Sequence, residues 1–213
     1  MTRARSILCN PLVSMTLIAA GVAATGCVES TQPASGESVE TSSDRVVITD
    51  REALSGLSLQ TVAFQRTAQG DQIVAPGWTQ TAPDEWTQSA HGATTTIKVT
   101  PKVTPAQSAA APPPPVTCNL NFFIGPSSSL GLIGGAAIGQ ADCLDGAVAF
   151  TITVTVCTDL FPACVTQSGV GVASPDLPFT FGIAVPGTAG ATCAGAVQWV
   201  PPGVSTSALF ACG

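Results

Sequence analysis

Residues 147–157, AVAFTITVTVC, alternate along their whole length. Val148, Phe150, Ile152, Val154 and Val156 fall on one side of an extended chain; Ala149, Thr151, Thr153, Thr155 and Cys157 fall on the other. A period of two marks a strand with one buried and one open face, and β-branched residues fit its pleated surface. The valine side belongs to a core and the threonine side to solvent. A slip of one residue would exchange the two faces, so this strand sets the register of its neighbours.

Similar runs surround it: TCNLNFFI (117–124), CVTQSGVGVA (164–173), FTFGIAV (179–185), AVQWV (196–200) and SALFAC (207–212). Breakers separate most of them, at Gly125-Pro126, Pro175, Pro178, Pro186-Gly187 and Pro201-Pro202-Gly203. Six or seven short strands with regular turn signals predict an all-β, β-sandwich-like domain over residues 116–213. The immunoglobulin pattern of two cysteines around a tryptophan is missing. Composition agrees with the β reading: 9% charged residues, 21 glycines, 17 prolines and no tyrosine do not make a helical bundle.

Before this domain the chain changes character. VTPKVTPAQSAAAPPPPV (99–116) is rich in proline and alanine, which predicts a stiff linker over 99–115 and a domain boundary near residue 116. Residues 45–98 carry strand-like RVVIT and LSLQTVAFQR. They also hold two Trp-Thr-Gln triplets, 78–80 and 86–88, which would suit a hairpin with TAPDE at its tip. The reading for this region is a loosely ordered stalk with a few transient strands. Residues 27–44 hold Ser, Thr, Glu and Gly with nothing to pack, as a disordered polar tether does.

The first 26 residues read as an export signal. Arg3 and Arg5 precede about thirteen mostly apolar residues, Leu12 to Ala24, a span too short for a relaxed transmembrane helix. Val22-Ala23-Ala24 satisfies ordinary signal cleavage. Ala24-Thr25-Gly26-Cys27 resembles a bacterial lipobox, although Ala24 stands where that pattern usually has Leu. The resemblance implies a diacylglycerol anchor on Cys27. It also implies an envelope location, the outer membrane in a diderm, since Val28 rather than Asp follows the cysteine. Plain secretion is the alternative.

Of eight cysteines, Cys9 lies in the signal and Cys27 is the anchor candidate, leaving Cys118, Cys143, Cys157, Cys164, Cys193 and Cys212. An even set confined to one stretch of an exported chain predicts a disulfide framework with fifteen formal connectivities. Cys157 and Cys164 flank the short TDLFPA connection. Cys193 and Cys212 are equidistant from the Pro202-Gly203 turn and would face each other across a hairpin. Cys118 and Cys143 then pair by elimination.

Residues 116–213 contain no His, Lys, Arg, Glu or Tyr; Asp142, Asp145, Asp159 and Asp176 are their only acids. General acid–base chemistry needs a group tuned near the working pH, and a nucleophilic hydroxyl needs a base. No catalytic residue and no cofactor is therefore expected, and the lone His91 reads as a solvated side chain. Asp142 and Asp145 in ADCLDGA make a weak calcium candidate, far short of an EF-hand loop. GPSSSLGLIGGAAIGQA (125–141) has five glycines but lacks the ending and the setting of a phosphate loop. It is either an exposed apolar contact surface or a buried irregular strand pair.

A net charge of −6 argues against nucleic acid as a partner. Two non-catalytic readings follow. In the first, the chain is a lipid-anchored structural or adhesive module meeting an unknown protein or glycan at the cell surface. In the second, it is a secreted disulfide-rich binder or inhibitor acting through Asp159, Leu160 and Phe161 of the clamped loop.

Overall fold

A computed structural model describes residues 41–42, 45–67, 70–90, 93–100, 115–161 and 163–213. The signal, most of the tether, Cys27, His91 and residues 101–114 of the expected linker lie outside the described residues. Among the described residues fourteen strands run in chain order: β1 (Thr41–Ser42), β2 (Arg45–Ile48), β3 (Gln60–Thr67), β4 (Gly70–Val74), β5 (Thr79–Ala82), β6 (Glu85–Ala90), β7 (Ala93–Val99), β8 (Val116–Pro126), β9 (Gly134–Cys143), β10 (Val148–Cys157), β11 (Val165–Ala173), β12 (Phe179–Pro186), β13 (Thr192–Val200) and β14 (Val204–Ala211). They form two seven-stranded sheets with orders β1-β2-β12-β9-β8-β3-β4 and β11-β10-β13-β14-β7-β6-β5. Each strand pairing is antiparallel. The two sheets pack face to face as a β-sandwich.

Strand β10 behaves as its alternation dictates. Val148, Phe150, Ile152, Val154 and Val156 are buried, while Thr151, Thr153 and Thr155 are half-buried on the opposite face. In the facing strand β9 six of the ten residues are Gly or Ala, and the packing explains why. A Cβ on Gly139 would lie 2.7 Å from Val197 and 2.8 Å from Ile152, with the Trp199 ring next at 3.3 Å. Small residues in one sheet make room for large ones from the other. Within the glycine-rich 125–141 stretch, residues 134–141 thus belong to a central strand buried on both faces, joined to β8 by a short loop in which Ile133 is exposed.

Two sequence expectations are corrected here. Residues 45–98 are not a loose stalk, and residue 116 is not a domain boundary. Strand β3 pairs with β8 from Gln60↔Phe122 to Arg66↔Val116, β7 pairs with β14, and β2 with β12. Val62, Phe64 and Ile97 are fully buried in the same core as Phe122, Phe150 and Trp199. The physical reason is that either half alone would leave large apolar faces open, and interleaving its strands covers them. Val99, placed in the linker by composition, ends β7 in one sheet, and Val116 begins β8 in the other. The Trp-Thr-Gln hairpin does form, with Thr79 opposite Thr87 and a register shift between Gln80 and Ala82.

The connection from β2 to β3 (residues 49–59) passes from one side of its sheet to the other. Leu54, within a 3-10 turn at Glu52–Leu54, packs with Ile48, Ala136, Ile138 and Ala184 in a second, smaller core on the outer side of that sheet.

All three cysteine pairs are bridged as the spacing predicts. Cys118 and Cys143 stand opposite each other in the β8–β9 register, both fully buried. Cys193 and Cys212 join the ends of the β13–β14 hairpin, also inside. Cys157–Cys164 clamps the β10–β11 connection at the surface, as the position of Cys157 on the threonine face requires.

Candidate functional surfaces

The clamped loop between Cys157 and Cys164 is anchored on both sides of its tip. Thr158 Oγ1 donates to the Pro186 carbonyl at 2.7 Å, and the Thr188 N–H donates to Asp159 Oδ1 at 2.9 Å. The Thr188 side chain bonds the same carboxylate, and together these bonds hold the Asp159 carboxyl below its ordinary range. Phe161 turns inward and packs on the main core. Of the three residues expected at a binding loop, Asp159 and Leu160 are exposed, but the Asp159 carboxylate is engaged by Thr188 and Leu160, 56% exposed, makes the outward apolar contact surface.

The calcium candidates are separated by their roles. Asp145 accepts the backbone N–H of Thr117, tying the β9–β10 turn to the start of β8. Asp142 sits on β9 opposite Asn119. Among the described residues, no group of three or more His, Cys, Asp or Glu side chains comes together. Asp176 occupies the exposed turn after β11. The four aspartates stand on separate elements or point to separate partners.

The larger features are two sheet faces that the sequence reading did not single out. One register row of the β11-to-β5 sheet runs Thr166, Thr155, Ala196, Ser207, Thr96, Thr87 and Thr79, crossing all seven strands on the outer side. Neighbouring hydroxyls pair along it, Thr155 with Thr166 at 3.0 Å and, one row over, Thr153 with Ser168 at 2.8 Å. The charges in the adjacent row, Lys98 and Glu85, neutralise each other at 3.2 Å. This broad surface therefore offers hydroxyl and methyl groups with almost no net charge. Its signal was already legible in the alternating threonines of β10 and in ATTTIKV at 93–99.

The outer side of the other sheet carries a hydrogen-bonded chain of amides. Thr61 Oγ1 donates to Asn121 Oδ1 at 2.8 Å, Asn121 Nδ2 donates to Gln140 Oε1 at 3.1 Å, and Gln140 Nε2 donates to Thr180 Oγ1 at 3.1 Å. These four residues are one register row across β3, β8, β9 and β12. Gln140 and Thr180 are buried, so the chain satisfies polar groups that would otherwise cost free energy. It cross-links strands from both halves of the sequence.

No family model, curated protein or solved structure matches this chain.

Proposed function

We propose that this protein is a lipid-anchored, surface-exposed structural or adhesive β-module of the bacterial cell envelope, held by Cys27 and non-catalytic. The observation that carries the reading is the union of a lipobox-like Ala24-Thr25-Gly26-Cys27 with a stapled sandwich whose broad outer face is nearly uncharged. A polar tether at 27–44 is suited to holding such a platform clear of a bilayer. A neutral, hydroxyl-bearing sheet suits contact with a neutral protein or glycan surface better than with polyanions. The alternative, a secreted binder acting through the 157–164 loop, has less support. Phe161 serves the core and Asp159 serves Thr188, which leaves Leu160 to make the contact.

Intact-mass analysis of the mature protein tests the anchor. The proposal expects an N-terminal Cys27 carrying a diacylglycerol, recovery in the detergent phase, and release into the medium of a Cys27→Ser variant. A mature chain beginning at Thr25 with an unmodified thiol rules the anchor out.

A further inference from the structure

Among the described residues each sheet has two edges, and three of the four are blunted. Strand β1 has two residues. Strand β4 has five and carries Asp71, paired with Arg66 at 3.1 Å. Strand β5 has four and a register shift. Short length, charge and irregularity are the devices by which sheets avoid pairing with foreign strands.

Strand β11 has none of them. It runs nine residues, Val165–Ala173, without a charge, a proline or a bulge, and among the described residues only β10 pairs with it. It is held firmly from inside: a Cβ on Gly169 would fall 2.3 Å from the Phe181 ring and one on Gly171 2.3 Å from Phe179. Those rings, reaching over from the other sheet, fill the places where side chains would stand. The outward side is uncharged, with hydroxyls at Thr166 and Ser168 and apolar residues at Val170 and Val172. Val170 is 77% exposed and Val172 52%. Through Thr151 the row continues from Val170 to Val200, and Leu177 lies at the strand's end, bridged to Ser174.

From these observations we infer that β11 is an association edge and that its occupant is the β11 edge of a second copy of this chain. A row of backbone N–H and C=O groups on a rigid strand is satisfied by another extended backbone. The partner strand must also be uncharged and must present apolar residues at the same level as Val170 and Val172, and β11 itself meets both demands. Antiparallel pairing about a two-fold axis keeps Thr166, Ser168, Val170 and Val172 of both copies on one face. It also places the two Asp176 side chains at opposite ends, whereas parallel pairing would bring them together. The two threonine faces then join into one continuous sheet. This inference stands independently of the anchor on Cys27.

Sedimentation equilibrium of the full chain across a concentration series tests it, alongside a Val170→Lys/Val172→Lys variant and a Leu209→Lys control on the same face but away from the edge. The parent and the control are expected to dimerise reversibly, and the edge variant to remain monomeric throughout. Hydrogen exchange of the parent provides a readout that needs no variant: amides of β11 should gain protection as concentration rises while those of β4 and β5 do not. A parent that stays monomeric with concentration-independent exchange overturns the inference. So does an edge variant that dimerises as tightly as the parent, or a control that loses dimerisation as fully as the edge variant.

Discussion

At the residue scale, the interior is specified by where small and polar side chains stand. Gly139 and Gly169 are fixed by what approaches them, an aliphatic cluster and a phenylalanine ring. Thr206 is the opposite case. It is buried on the inner side of β14, and its hydroxyl, like the Trp199 indole N–H, has no hydrogen-bond partner among the described residues. A buried unsatisfied hydroxyl carries a desolvation penalty, and a valine of the same shape removes it. Thr206→Val is therefore expected to raise unfolding stability by about 1 kcal/mol, seen as a higher denaturant midpoint at unchanged slope. Reduced stability in that variant would mean that the hydroxyl has a partner that matters.

At the element scale, legibility followed the strength of the local pattern. Strands β10 to β14 were readable because strict alternation met clear turn signals. The same regularity made the cysteine pairs readable, since Cys193 and Cys212 had to close a hairpin whose turn was marked by Pro202-Gly203. Strand β9 was harder to place: GGAAIG has no apolar–polar alternation because both of its faces are buried. The 157–164 loop was legible as a clamp but not as an anchored one, because the partners of Thr158 and Asp159 lie 28 and 29 residues away. This loop carries a pH signature. The Asp159 carboxyl is held below its ordinary value of 3.8 by the Thr188 bonds, so folding favours the deprotonated form. Its stabilisation is present above the unfolded carboxylate range and fades as pH falls through the lower folded value. Asp159→Asn should remove that part of the acid sensitivity. Unfolding curves of parent and variant taken down through pH 4 should converge toward the acid end. Parallel curves would show that the carboxylate contributes nothing.

At the scale of the whole molecule, what sequence alone could not supply was the interleaving of its two parts. Val62, Phe64 and Ile97 fall in the 45–98 region that read as a loosely ordered stalk, and the proline-rich segment read as the end of one unit and the start of another. Local pattern cannot tell a linker between domains from a crossover between sheets, because both are proline-rich and polar; the difference lies in long-range pairing such as Phe64↔Cys118 and Thr206↔Ile97. The outcome is a single platform from Arg45 to Gly213, stapled by three disulfides and cross-linked by the Thr61–Asn121–Gln140–Thr180 chain. A rigid platform of this kind presents its threonine face as a unit, which is what the proposed role at a cell surface requires. The decisive measurement uses the tryptophans as separate reporters. Trp78 and Trp86 report on the first part of the chain in a Trp199→Phe variant, and Trp199 reports on the second in a Trp78→Phe/Trp86→Phe variant. Denaturant unfolding of the oxidised protein followed by fluorescence should give one coincident transition from both reporters; an early transition at Trp78 and Trp86 that leaves Trp199 native would contradict the single platform.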